Sequence, residues 1–291
     1  MTGIRTILSV VGDEATGEAP LRTALVLARD LGCHVEGFHV RIDASAAVPY
    51  VGEAMAGALV EEMVEAAEKE ARERAAKAHG LFARVCAELA IALDDTPPGT
   101  GGPSASWQEA RGAEPEHVAM RGRVADLLVL GQPGLHGEPP SLLTLNAALL
   151  ESGRPVLVAP PQAPAEIGRR IAIAWNGSAE AARAVMGAMP FLVAAQEVTV
   201  LIAEIDEEGA DATAHELERH LAWHGVKAGV RVLHAAAGTR AGEALVAASD
   251  EVKADLLVMG AYTHSRLRQL ILGGVTRHLL GNARIPLLLS H

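Results

Sequence analysis

The stretch ADLLVMGAYT, Ala254 to Thr263, has a near copy earlier in the chain, ADLLVLGQPG, Ala125 to Gly134. In both, a short apolar run stops on a glycine. Both are followed further on by another apolar run behind a proline, IPLLLSH (Ile285–His291) and RPVLVAP (Arg154–Pro160). The two halves also open alike, with RRIAIAWNGS from Arg169 and IRTILSVVGD from Ile4. Repetition over this length marks one folding unit present twice. Between the copies, PPQAPAEIG (Pro160–Gly168) is rich in proline and glycine and has no periodicity, so it reads as a linker. The expected organisation is a first domain over 1–160, a linker over 161–168 and a second domain over 169–291.

Within each copy, apolar runs alternate with helical patterns. In the second, strands are expected at Ile171–Trp175, Val198–Ala203, Val230–Leu233, Leu256–Met259 and Pro286–Leu289. Helices are expected at Ala179–Val193 behind Ser178 as N-cap, then at Glu216–His224, Gly242–Lys253 and Val275–Leu280. The strands are continuous apolar runs, as they must be when both faces of a sheet are covered. That pattern means parallel strands with crossover helices. The first copy has expected strands near Ile7–Val11, Val35–Val40, Leu127–Leu130 and Pro155–Ala159. A long charged helix covers about Ala58 to Ala92, and Asp94–Ser106 (DDTPPGTGGPSAS) reads as a loop. The fold class is α/β, with two open parallel sheets and helices on both faces of each.

Bulk properties narrow the function. The chain has 291 residues, 49% of them apolar, and a formal charge of −11. Such an acid excess repels nucleic-acid backbones and anionic membrane surfaces, so neither is an expected partner. No apolar run approaches the roughly 20 residues that span a bilayer. The opening MTGIRTILSVVGDE lacks the apolar core of a signal peptide. Cys33 and Cys86 stand in no metal-ligand spacing and read as buried, reduced thiols. A cytoplasmic setting is expected.

Against this acidic background the tail is an anomaly. From Leu256 to His291 there is no Asp or Glu, while Arg266, Arg268, Arg277 and Arg284 are all present. Gly260 ends a strand, and Gly273 and Gly274 precede a helix. In open parallel sheets, ligands collect beyond the carboxyl ends of the strands where strand order reverses. A helix start offers unpaired N–H groups and a positive dipole end, and glycines let an anion approach them closely. The combination points to a phosphate pocket; steric need at strand-to-helix turns is the competing reason for such glycines.

These residues carry a resemblance. The halves resemble universal stress protein domains, and the whole chain is similar to a tandem member of that family. The resemblance implies open five-stranded parallel sheets of the universal stress protein-like (adenine nucleotide alpha hydrolase-like) type. The family's nucleotide binders carry G-x-x-G, nine residues, then G-[S/T]. Gly260 matches the first position, Thr263 stands at the second, Gly273 matches the third and Gly274 stands where Ser or Thr is usual, with Val275 and Thr276 continuing the pattern. Asn176 takes the place of an acidic residue that receives the base or ribose. Ala174, Ala203 and Met259 are implied to line the base pocket. Losing the Ser/Thr hydroxyl removes a charge-assisted hydrogen bond of about 1.5–3 kcal/mol. The implied cofactor is therefore an adenine nucleotide, ATP or AMP, weakly held, with no metal. The first copy keeps Gly131 and Gly134 but has Thr144 and Leu145 where the later glycine would fall, Gly12 at the acidic position, and Glu138, Pro139 and Pro140 in the loop. It reads as structural.

Catalytic constellations are not evident. His220 and His224 have metal-ligand spacing but no Glu in H-E-x-x-H order, and read as surface histidines. Ser178 lies in N-G-S, not in a G-x-S-x-G elbow. There is no G-x-x-x-x-G-K-[S/T] loop. Trp107, Trp175 and Trp223 are isolated and read as packing residues. The expected function is that of a non-catalytic stress-response protein binding a small phosphorylated ligand in its second half, with slow ATP hydrolysis a minor alternative. The rival is an interaction or scaffold protein with vestigial sites. Its two halves would pair as an intramolecular pseudo-dimer, Pro155–Ala159 against Pro286–Leu289, and a homodimer of whole chains is a further alternative.

Overall fold

The computed structural model describes residues 3–43, 57–97, 102–133, 141–203, 210–233, 240–262 and 273–291. In the first half the strands are β1 (Thr6–Val10), β2 (His34–Arg41), β3 (Ala92–Leu93), β4 (Ser104–Arg111), β5 (Leu127–Gly131) and β6 (Val156–Ala159). Its helices are α1 (Glu14–Leu31), α2 (Gly57–Glu88), α3 (Glu114–Gly122) and α4 (Leu142–Glu151). The second half holds β7 (Arg170–Ala174), β8 (Glu197–Ala203), β9 (Ala228–Leu233), β10 (Leu256–Gly260) and β11 (Leu287–Ser290). With them come α5 (Ala179–Ala194), α6 (Ala210–Trp223), α7 (Ala241–Glu251) and α8 (Gly274–Asn282).

Both halves are doubly wound. The strand order is β3-β4-β2-β1-β5-β6-β11-β10-β7-β8-β9. Strand order reverses beside β1 and β5 in one half, and beside β7 and β10 in the other. Pairing is parallel except at the centre, where β6 and β11 run antiparallel with Leu157 opposite Leu288. The two expected sheets are thus fused edge to edge into one of 11 strands. Helices α1, α2, α5 and α6 cover one face with a core that includes Leu25, Phe82, Val185 and Leu217. Helices α3, α4, α7 and α8 cover the other, around Val118, Leu145, Leu245 and Leu279. The central strands are buried on both sides, which explains their unbroken apolar character.

Several expectations are corrected. Helix α2 stops at Glu88, not Ala92, because Ala90 takes a left-handed conformation (φ 54°) and the Ile91 amide returns to the Cys86 carbonyl at 2.9 Å. The stop has no glycine to announce it. The expected loop at Asp94–Ser106 gives way at Ser104 to β4, a polar strand whose residues Trp107 to Arg111 are partly or wholly exposed. Helix α6 begins at Ala210, earlier than expected. Trp107 packs against Phe82, ring centroids 5.2 Å apart. Trp223, by contrast, is 82% exposed and is no packing residue.

One recurrent aspartate organises both halves. Asp126 accepts the amides of Arg5 and Thr6 at 2.8 and 3.0 Å. Its counterpart Asp255 accepts those of Gly168, Arg169 and Arg170 at 2.9, 2.9 and 3.1 Å. The Asp of each ADLL run therefore ties down the start of the strand at the switch point. Burial raises the Asp255 carboxyl above its usual range, against the opposing effect of those three N–H bonds.

Candidate functional site

A cavity of about 600 Å³ opens beyond the carboxyl ends of β7, β8 and β10, at the second-half switch point. Its floor is Ala174, Leu201, Ile202, Ala203 and Met259. One wall is Trp175 to Ser178 with the start of α5, and another is Ala241 and Leu245 of α7. The strand end Gly260 and Tyr262, and the helix start Gly273, Gly274, Val275 and Thr276, close it. Of the residues marked in the sequence, Ala174, Asn176, Ala203, Met259, Gly260 and those at 273–276 all line this one cavity. Thr263 lies outside the described residues, as do Gly134 and the 138–140 run of the first half. Trp175, Gly177, Ser178, Leu201, Ile202, Ala241, Leu245 and Tyr262 also line it and were not marked. For all but Tyr262 the signal was available: they flank marked residues at strand ends, or stand at the start of α7.

The glycines serve different ends. A Cβ on Gly260 would lie 2.5 Å from the Ala181 nitrogen and 2.7 Å from the Glu180 carbonyl carbon, so this glycine lets α5 rest on the end of β10. Among the described residues, Gly273 and Gly274 have no neighbour within 4 Å of such a Cβ. Gly273 is the N-cap of α8 and offers no side-chain cap, and the first residues of α8 line the cavity. The start of α5 is different. The Ser178 hydroxyl accepts from the Ala181 amide at 3.1 Å, and Asn176 Oδ1 accepts from the Ser178 amide at 3.2 Å. The Asn176 oxygen is thus engaged locally, leaving its amide nitrogen as the donor it can offer. The Trp175 indole N–H donates to Thr213 Oγ1 at 3.2 Å, fixing the ring against α6.

The arginines are a correction. Arg277 and Arg284 are exposed, and neither lines the cavity. Arg277 follows Thr276 on α8, and one residue of helical rotation turns it outward. Arg284 lies beyond the far end of that helix. Arg266 and Arg268 fall outside the described residues. Among the described lining residues there is no Asp, Glu, Lys, Arg or His. What positive potential they supply comes from backbone amides at the α8 start.

The same place in the first half is lined by larger side chains among the described residues. Register matches Val10 and Phe38 with Ala174 and Leu201. Val10, Phe38 and Val40 are buried where the second half has Ala174, Leu201 and Ala203. The last helix there, α4, is capped by Ser141, whose hydroxyl accepts from the Thr144 amide at 3.1 Å. Glu114, first residue of α3, accepts from the Thr144 hydroxyl at 2.6 Å. The first residue of α7 is Ala241 instead. Asp13 caps α1, accepting from the Thr16 amide at 3.0 Å, so it too is spent on the fold.

Other candidates do not assemble. His220 and His224 lie 5.0 Å apart ring to ring, and His220 is exposed. Among the described residues no group of three or more His, Cys, Asp or Glu is placed to hold a metal. Among them, too, no helix is long and apolar enough to cross a membrane. Cys33 and Cys86 are free and buried, and burial pushes their thiols up to about 12 and about 11.

A twisted parallel sheet with helices on both faces, an unbridged cavity at its switch point and a glycine-started helix beside it defines a doubly wound α/β protein with a ligand-type crevice. Residues 168–291 match the model of the universal stress protein family, and this part of the chain is a domain of that family. The chain as a whole is similar in fold to a universal stress protein from Archaeoglobus fulgidus DSM 4304. That likeness has a TM-score of 0.66 at 13% identity and covers 98% of this chain and 97% of the other. A protein assigned to the same family in Pseudomonas aeruginosa UCBPP-PA14 gives a TM-score of 0.55 at 16% identity, covering 99% and 93%. No curated protein sequence matches.

Proposed function

We propose that the chain is a non-catalytic, cytoplasmic stress-response protein of two units, 1–160 and 169–291, joined by 161–168. Its second unit holds an adenine nucleotide, and its first unit is structural. The observation that carries this reading is the cavity of about 600 Å³ at the β7–β10 switch point, faced by the side-chain-free start of α8. Its size suits a base and ribose, its floor is apolar, and the α8 amides suit a phosphate. The described lining offers no carboxylate, imidazole, thiol or amine, which supports binding over catalysis. It also offers no cationic side chain, which favours AMP over the more highly charged ATP.

Calorimetry with ATP, ADP, AMP and cyclic nucleotides tests the reading. AMP is expected to bind at least as tightly as ATP; no heat from any of them at millimolar concentration would refute it. Gly273→Asp is expected to abolish binding while leaving the unfolding transition in place, since its Cβ meets nothing and its carboxylate opposes the phosphate.

The scaffold reading draws on a different observation. Asn176 Oδ1 is already bonded to the Ser178 amide, and Gly274 has no hydroxyl. It predicts an empty cavity in protein purified under native conditions; a copurifying nucleotide seen by mass spectrometry would dismiss it.

A further inference from the structure

Tyr262 lines the second-half cavity and is also bound to the first half of the chain. Its backbone lies in the left-handed region, φ 68°. A residue with a Cβ is crowded there by its own carbonyl and stays only where its surroundings hold it. Among the described residues, two contacts hold this one. The hydroxyl donates to Oδ1 of Asn146 on α4, across the seam between the halves. The ring meets His291 edge-on with centroids 5.7 Å apart, and His291 Nδ1 lies 3.3 Å from the Ala261 carbonyl.

Asn146 is an odd residue for its position. It is 8% exposed on a helix reading LLTLNAALLE. A buried carboxamide there is costly unless it is bonded. Among the described residues its side-chain partner is the Tyr262 hydroxyl. The matching place in the first half is Pro133, whose ring cannot adopt positive φ. There the crossing is made one residue earlier and differently, by Gln132, whose amide donates to the Ala283 carbonyl at 2.9 Å. Each half therefore sends a side chain over the seam from just beyond the strand beside its switch point, β5 or β10, but the crossing from the second half starts at the cavity wall.

We propose that Asn146 is a positioning residue for the second-half cavity. Acting through the Tyr262 hydroxyl, it holds that wall in its left-handed conformation, so the site is completed by the other half of the chain. Its ligand arm rests on the nucleotide reading above; its structural arm does not.

The test uses the full chain with Asn146→Ala, Tyr262→Phe and the double variant; Tyr262→Phe keeps the ring contacts and removes only the hydroxyl. The first readout is hydrogen exchange at the Ala261 amide, which donates to the Ser290 carbonyl at 2.9 Å. Each single variant is expected to speed exchange there about tenfold, with no further change in the double. Amides of β2 in the distant part of the sheet should be unchanged. Normal protection of Ala261 in both single variants, or effects that add in the double, would overturn the proposal.

The second readout is AMP affinity at a temperature where all variants are folded. Each single variant is expected to weaken binding about tenfold and the double no more, because one hydrogen bond is lost either way. If wild type binds AMP and the variants match it, the positioning role is refuted. If wild type itself gives no heat with AMP, the nucleotide reading is what fails, and exchange at Ala261 decides the proposal alone.

Discussion

The two halves share a sheet order and an ADLL aspartate, yet the switch point of one is lined by larger side chains and that of the other opens into a cavity. In the first, Val10, Phe38 and Val40 occupy the floor, Ser141 caps the last helix and Glu114 lies against Thr144. In the second, the same stations are Ala174, Leu201, Ala203, Gly273 and Ala241, and a cavity results. The elements around the mouth are the same in both halves, since the extra strand of the first half, β3, lies at the far edge of the sheet. A handful of side chains, each larger by a few atoms or bearing an acid, separates the two ends.

The comparison can be broken hardest at Gly260. Gly260→Ala drives a methyl into the backbone of α5 and should cost about 3 kcal/mol in urea unfolding. Gly273→Ala should cost under about 1 kcal/mol, because its Cβ meets nothing. Equal costs would mean the two glycines are not doing different jobs.

Next come the aspartates. Asp255→Ala orphans three amides and Asp126→Ala orphans two, so the former should destabilise more, by about 2–3 kcal/mol. The Asp255 carboxyl is raised from 3.8 in the folded chain. Its titration therefore adds stability below pH 3.8 that is lost as pH rises through the folded value. Against Asp255→Asn, wild type should lose stability over that acidic window and run parallel at neutral pH. A difference that grows in the other direction would reverse the assignment.

A smaller effect comes from transplanting the plug. Ala241→Glu should place a carboxylate beside Thr276 and weaken AMP at least about tenfold, with the fold kept. The reciprocal Glu114→Ala should cost about 1 kcal/mol by freeing the Thr144 hydroxyl. The least change concerns the thiols. Both cysteines belong to the first half and are raised to about 12 and about 11 by burial, so neither should be alkylated at pH 8 in the native chain. Labelling then reports opening of the first half alone, and rapid native labelling would contradict the burial.

Much of the fold was legible because the central strands are buried on both faces. LLVM at 256–259 and LLVL at 127–130 could hardly be anything but interior parallel strands. Strand β4 was illegible for the converse reason: SASWQEAR near the sheet's edge has much of its length toward water and lacks apolar character. The end of α2 was hidden because Ala90, not glycine, takes the left-handed turn. In the site, the glycine spacing pointed to residues that the structure gathers around one cavity, while Arg277 and Arg284 lie off it, since charge along a chain says nothing of which side of a helix it occupies. Tyr262 went unmarked because its importance depends on Asn146, which is remote in sequence and close only across the seam.

That seam has a genetic consequence. Because β6 and β11 are zipped within one polypeptide, their meeting does not depend on how many molecules are present. Two separate copies of one gene product must carry identical crevices, so a mutation that stops up one stops up both. A covalently joined pair is released from that obligation. One member can degenerate into a buttress, lending its edge and the carboxamides of Gln132 and Asn146, while its sibling keeps the vacancy.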